Sequence, residues 1–189
     1  MRALALSTRF RKDDAEGDAC LLVYDETDLS AAMVSSDVRD VLNARPNTWK
    51  IYVVAPFLDE EKVVQSALEG SAFERAAGKI GALVGRPSAA EPMCLHFIHR
   101  NEATGEIEAA SPAADELIQG WLFSLFDQCR ALVDAPAGIH FGKGSGKHAR
   151  HFLRASNVIL SSAACGFVGL ATLARLSAEE PRRIFVDTA

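Results

Sequence analysis

The chain has 189 residues, of which 49% are hydrophobic, and a formal net charge of −5. This hydropathy is typical of a buried core and argues against a disordered chain, and the acidic balance argues against a nucleic-acid partner. No apolar stretch reaches the length of a membrane span, so no membrane partner is predicted. The four cysteines form no C-x-x-C pair and three lie in apolar runs, which predicts buried thiols and a cytoplasmic location.

The first half of the chain alternates between strand and helix patterns. Residues 20–24 and 49–55 are short apolar runs of β-forming residues, and the stretch between them places apolar side chains at helical spacing. Asp59 is positioned to cap a second helix, and residues 72–83 place apolar residues on one face of a third. This alternation predicts a parallel-type α/β layer, which we assign to a module of unknown role at residues 1–88.

A connector rich in Pro, Ser and Ala leads into a second unit at residues 89–189. Residues 94–100 read as a strand with a shorter partner after it. Ser111 and Pro112 then predict the start of one long helix over residues 113–133, with Ser as the cap and Pro in the first turn.

Cys94, His96 and His99 raise the question of a metal site on the predicted strand. Positions 94 and 96 of a strand share one face, whereas position 99 lies on the other, so three ligands do not converge. We therefore predict a polar strand face here and assign no metal ligands.

The basic segment (residues 141–157, FGKGSGKHARHFLRASN) combines glycines with positive charge in an otherwise acidic chain. Glycines leave backbone N–H groups open to close approach, and cations gathered around them suit a phosphate or carboxylate ligand. A solvated surface hairpin is the alternative interpretation. A Walker A loop is not predicted, because Phe141 stands where its first Gly is needed and His148 where its hydroxyl residue is needed. The charged residues are Lys143, Lys147, Arg150 and Arg154, with His140, His148 and His151 beside them.

The order of a helix, the pattern F-x-x-x-S-G-K-x-x-x-x-F, an alanine-rich helix and a short apolar strand resembles the opening of orotate phosphoribosyltransferases. The resemblance covers roughly residues 115–189, and its matching positions are Phe141, Ser145, Gly146, Lys147 and Phe152. It implies an α/β fold in which the helix and basic hairpin precede the start of a phosphoribosyltransferase-like parallel sheet, with residues 183–189 as its first strand.

This resemblance implies transfer of a phosphoribosyl group from phosphoribosyl pyrophosphate to an orotate-type base, with Mg²⁺ as cofactor. The substrate-binding candidates are Lys143, Ser145, Gly146, Lys147, Phe152 and Arg154. The family's ribose and phosphate motif has no counterpart in the sequence, so no catalytic residue is assigned. We expect residues 89–189 to be the front portion of a phosphoribosyltransferase-like domain, either as a fragment of a longer enzyme or as a relic that binds without catalysis.

Two alternatives stay open: a non-catalytic nucleotide- or phosphate-sensing module, and a protein-interaction module. We also expect a homodimer or other self-association through the apolar strand at residues 183–187.

Overall fold

The structure is a computed structural model that describes residues 3–12, 15–69, 78–87, 93–101, 103–142 and 146–175. It is a mixed α/β fold, as predicted, with a six-stranded sheet and helices packed on both of its faces. The strands of the sheet are β1 (Leu4–Lys12), β2 (Ala15–Val23), β3 (Thr48–Val54), β4 (Ile80–Arg86), β5 (Cys94–Arg100) and β6 (Ile107–Pro112). The helices are α1 (Ala31–Ala44), α2 (Glu60–Leu68), α3 (Asp115–Gln128), α4 (Ala155–Val158) and α5 (Ser162–Leu173). Four short strands lie outside the sheet, namely β7 (Leu132–Asp134), β8 (Phe141–Gly142), β9 (His148–Ala149) and β10 (His151–Leu153).

The six strands lie side by side in the order in which they occur in the chain. β2, β3 and β4 are parallel, whereas β1, β5 and β6 run antiparallel to their neighbours. The predicted parallel pairing is therefore confirmed for β2 and β3, β4 adds a third parallel strand that was not predicted, and antiparallel strands extend the sheet on both sides.

The central strands are buried on both faces because their sequences are almost continuously apolar. Leu22 and Val53 contribute to the core beneath α1 and α2. Leu21 and Val54 alternate with them and contribute to the core beneath α3 and α5. The sheet thus separates two hydrophobic cores.

Helices α1 and α2 each begin at a side-chain N-cap. The Oγ of Ser30 accepts a hydrogen bond of 3.3 Å from the backbone N–H of Met33 at the start of α1. The Oδ1 of Asp59 accepts one of 2.9 Å from the N–H of Lys62 at the start of α2. The cap predicted at Asp59 is confirmed, and each cap satisfies a backbone donor that has no partner within its own helix.

On the other face, α3 packs along β1 and buries the apolar stripe that its sequence predicts. Leu117, Trp121 and Leu125 are buried there, and Phe167 of α5 completes the core. A Cβ at Gly120 would collide with the side chain of Thr8, so glycine lets α3 approach β1 closely.

Three predicted elements need correction. Residues 80–83 were expected in a helix but belong to β4, where they pair with β3 and β5 and where Gly81 leaves room for the carbonyl oxygen of Ile98. Residues 72–77 of that predicted helix lie outside the described residues. Ser111 and Pro112 end the edge strand β6 instead of starting a helix, since Pro is tolerated at a sheet edge. The long helix is shorter than predicted, at Asp115–Gln128, and its N-cap Ala114 makes no side-chain hydrogen bond.

The sheet also crosses the boundary predicted between residues 88 and 89. β4 and β5 pair in register from Gly81 opposite His99 to Arg86 opposite Cys94, so the two assigned units share one sheet. The strand predicted at residues 183–189 and its self-association lie outside the described residues. Within the described ranges, no helix has the length and hydropathy to cross a membrane.

All four cysteines are free thiols, but the prediction that they are buried holds only for Cys20. Cys94 and Cys129 are half-buried, and Cys165 is exposed on α5. Burial raises the pKa of the Cys20 thiol, so that this group stays protonated inside the core.

Candidate functional site

The basic segment forms most of a hairpin arm (residues 130–154) that follows α3. β7 pairs with β10 at the base of the arm, with Leu132 opposite Leu153. β8 pairs with β9 further along, with Gly142 opposite His148. The antiparallel hairpin predicted around residues 142–146 is thus confirmed, although α4 follows it where an extended chain was expected.

The base of the arm is tied to the end of α3 by hydrogen bonds. The backbone N–H of Arg154 donates to the carbonyl oxygen of Ala131 at 2.7 Å. The side-chain amide of Asn157 donates to the carbonyl oxygens of Cys129 and Arg130 at 3.2 and 3.1 Å. Arg130 itself has a φ of 50°, the left-handed conformation that commonly ends a helix.

Gly146, at the end of the turn, has the open backbone that the sequence predicts. Its φ is 75°, and no atom of the described residues other than its chain neighbours lies within 4 Å of the position that a Cβ would take there. Lys147 follows it and is exposed. Lys143 and Ser145, also predicted to bind substrate, lie outside the described residues.

Phe152 and Arg154, the remaining predicted site residues, are exposed but lie away from the turn. Phe152 is opposite Val133 in the β7–β10 pair, and its ring contacts that of Phe141 with centroids 5.6 Å apart. Arg154 lies at the base of the arm, at its opposite end from Lys147. The structure therefore places Gly146 and Lys147 together. Phe152 contacts Phe141, which lies on the strand before the turn, whereas Arg154 lies apart from these residues at the base of the arm.

Three cations of the arm are exposed. Lys147, Arg150 and Arg154 form no ion pair with any residue that the structure describes. The one carboxylate in the arm, Asp134, instead contacts His151, with 2.5 Å between its Oδ1 and the imidazole Nδ1. Such an arrangement suits attraction of an anion.

The described residues offer no ligand set for the Mg²⁺ that the resemblance implies. Within them, no group of three or more His, Cys, Asp or Glu side chains is arranged to hold a metal ion. The arm itself presents cations at its turn. Cys94 and His96 lie on one face of β5, and Phe97 and His99 lie on the other. The ring of His99 packs against that of Tyr52, with centroids 5.5 Å apart.

Three acidic residues near the carboxyl ends of β2 and β3 have structural partners. Asp59 caps α2, Asp28 pairs with Lys62 at 2.9 Å, and Glu60 forms a bidentate ion pair with Arg86. The hydrogen bonds from Arg86 lower the pKa of the Glu60 carboxyl.

No family model, curated protein or solved structure matches this chain. The candidate site therefore depends on its own geometry. Sequence reasoning missed the contact between His151 and Asp134, which are opposite each other in the β7–β10 pair. It also made no prediction for Ile159 and Leu160, which follow α4 and are exposed.

Proposed function

We propose that the chain binds a phosphorylated small molecule at the turn of its hairpin arm, with phosphoribosyl pyrophosphate as the ligand. The observation that carries this proposal is the exposed, unpaired Lys147 next to the open backbone of Gly146. An anion meeting this turn gains charge-assisted hydrogen bonds without breaking an existing ion pair. The acidic charge of the rest of the chain makes this local cation density more distinctive.

Each arm residue would have a different role. Lys147 and the N–H of Gly146 would contact the phosphate groups, with Lys143 and Ser145 as the further candidates from the sequence. Phe152 would offer an exposed ring face to the base, because its side chain is 47% exposed. Arg154 would attract the ligand from the base of the arm.

The proposed inherited chemistry is displacement of pyrophosphate by a nitrogenous base. This reaction needs electrostatic support for both the leaving pyrophosphate and the ribosyl cation. The arm offers cations for the first and no carboxylate cluster for the second. We therefore propose a binding protein of phosphoribosyltransferase type. Gly144, Ala149 and Leu153 stand where the resembled family has a lysine, a serine and a second aromatic residue, and these replacements favour a sensing role over catalysis. The proposed compartment is the cytoplasm, where free thiols remain reduced.

Calorimetric titration with phosphoribosyl pyrophosphate tests the proposal. We expect the affinity to fall as the salt concentration rises, because exposed charges are screened. Lys147→Ala should weaken binding by about 1–3 kcal/mol, the usual value of a hydrogen bond to a charged group. Lys62→Ala is the matched control, since Lys62 is a lysine of α2 on the other face of the sheet and should leave binding unchanged.

Titration with pyrophosphate and with ribose 5-phosphate identifies which end of the ligand the turn holds. Pyrophosphate alone should retain most of the affinity if Lys147 contacts that end. Equal binding by the wild type and Lys147→Ala would contradict the assignment to the turn, and release of pyrophosphate in the presence of a base would show that catalysis is retained.

A further inference from the structure

Large apolar side chains are exposed around the base of the hairpin arm. Leu132 and Leu153 are 39% and 49% exposed, and they are cross-strand neighbours in the β7–β10 pair. Ile159 and Leu160, which follow α4, are 65% and 85% exposed. Exposed apolar side chains gathered in one region indicate an interaction surface.

Cations accompany these apolar residues. Arg150 precedes β10 and Arg154 follows it, and both are exposed without an ion pair among the described residues. We define the arm surface as Leu132, Leu153, Ile159 and Leu160 with Arg150 and Arg154. It is apolar and basic, and it is distinct from the turn at Gly146.

A groove of about 520 Å³ on the other face of the sheet has the opposite charge. Its described lining includes Val64 and Leu68 of α2 and Ile98 of β5, which also belong to the core under α1 and α2. Ile107 of the edge strand β6 lines it as well and is 49% exposed.

The groove has acidic residues along α2. Glu61 and Glu69 line it and are exposed, whereas Glu60 is engaged by Arg86. Its surface is therefore apolar and acidic, and it complements the arm surface in both respects.

The charge distribution favours a second copy of the chain as the partner of the arm surface. Residues 130–154 contain five Lys or Arg and one Asp, which gives them a formal charge of +4. Because the whole chain has a net charge of −5, the remaining residues carry −9. Contact between two arm surfaces would place like charges together, which is unfavourable. Contact between an arm surface and a groove joins opposite charges and two apolar patches.

The two surfaces cannot meet within one chain in this fold. Val158 and Ala131, which anchor the arm surface, belong to the core under α3 and α5. The floor of the groove belongs to the core on the opposite face of the sheet. We propose that the arm surface of one copy docks into the groove of a second copy, a head-to-tail contact that closes into a ring or continues as a filament.

Sedimentation velocity of the full chain over a range of concentrations tests this inference. The wild type should self-associate, and Arg150→Glu with Arg154→Glu should weaken association at least about tenfold, since facing like charges cost more than 1.4 kcal/mol. Glu61→Lys with Glu69→Lys should have the same effect. Thermal unfolding followed by circular dichroism is the control that checks whether both variants remain folded.

Mixing the two double variants is the decisive measurement. Each should associate more weakly alone than the wild type does, and the mixture should recover the association, because it restores opposite charges at the contact. Undiminished self-association of the Glu61→Lys, Glu69→Lys variant alone would contradict the proposal and indicate contact between two arm surfaces. A wild type that stays monomeric at every concentration would overturn it, and binding of that monomer to vesicles with 30% phosphatidylserine would identify a membrane as the partner instead.

An apolar variant separates this contact from the ligand site. Leu160→Ser should weaken association several-fold and leave binding of phosphoribosyl pyrophosphate unchanged, because Leu160 is outside the turn. Phe123→Ser is the matched control, since Phe123 is also exposed, at 62%, but lies on α3 outside both surfaces. Equal weakening by both substitutions would contradict the assigned surface. Loss of ligand binding with association intact would concern only the proposed function.

Discussion

The indole N–H of Trp121 donates a hydrogen bond of 3.0 Å to the backbone carbonyl oxygen of Ala19 and so joins the middle of α3 to β2. The indole is fully buried, and its ring meets those of Tyr52 and Phe97 edge-on, with centroids 5.8 and 6.4 Å apart. One side chain thus fixes the helix that precedes the hairpin arm against the centre of the sheet.

Trp121→Phe should destabilise the fold by about 2–4 kcal/mol, because it removes the donor to Ala19 and leaves a cavity. Urea unfolding measures this loss. Trp49→Phe is the control, since Trp49 is half-buried, and it should cost less than about 1.5 kcal/mol. Similar losses for both variants would mean that the hydrogen bond to Ala19 contributes little.

Arg130→Gly should stabilise the fold by about 1 kcal/mol, because a non-glycine residue with a φ of 50° is strained by its Cβ. Arg130→Ala keeps the Cβ and loses the same charge, so it should not give this gain. The difference between the two melting temperatures isolates the backbone contribution. A gain from Ala equal to that from Gly would attribute the effect to charge.

Tyr24→Phe should cost about 1–3 kcal/mol, because the Tyr24 hydroxyl donates to the Oδ2 of the buried Asp37 at 3.1 Å. Burial raises the pKa of Tyr24, so the hydroxyl remains a donor throughout the neutral range. In an Asp37→Ala background the same substitution should cost less, since the acceptor is gone. Equal costs in both backgrounds would show that the two side chains are not coupled.

His99 should make the fold less stable below neutral pH. Burial, and secondarily the charge of Lys50, lowers the pKa of His99 in the folded chain below its unfolded value near 6.5. The unfolded chain therefore binds the proton first, so stability is complete above that value and falls as the pH decreases towards the folded pKa. His99→Gln should reduce the loss of unfolding free energy between pH 7.5 and 5.5, measured with urea, and an unchanged loss would assign it to other groups.

The sequence predicted those elements in which one pattern dominates. The apolar runs that became β2 and β3, and the cap at Asp59, left little choice of structure. β1 was missed although Leu4 and Leu6 occupy alternate positions, because the short apolar start and the charged residues after it give no clear strand pattern for the segment that α3 covers. β4 was misread because Ile80 and Leu83 fit helical spacing as well as a strand, and only pairing with β3 and β5 decides between the two.

The candidate site was predictable in part for the same reason. Glycine density and charge located the turn at Gly146 and the exposed Lys147 directly from local sequence. The groove lined by Leu68, Ile98 and Ile107 was not predictable, because it joins three elements whose proximity depends on the order of strands in the sheet. Long-range pairing is information that no local pattern contains.

The chain-order arrangement of β1 to β6 bears on how this protein is made. Each new strand finds its neighbour already synthesised, so the sheet can grow as the polypeptide leaves the ribosome, without waiting for distant segments. Only the core beneath α3 and α5 forms later, because Trp121 and Phe167 are synthesised after all six strands. Until then the α3-facing side of the sheet, including Leu21 and Val54, is open to water. The nascent chain is therefore most exposed to aggregation after β6 has left the ribosome and before α3 emerges, which is when a chaperone would find its best substrate.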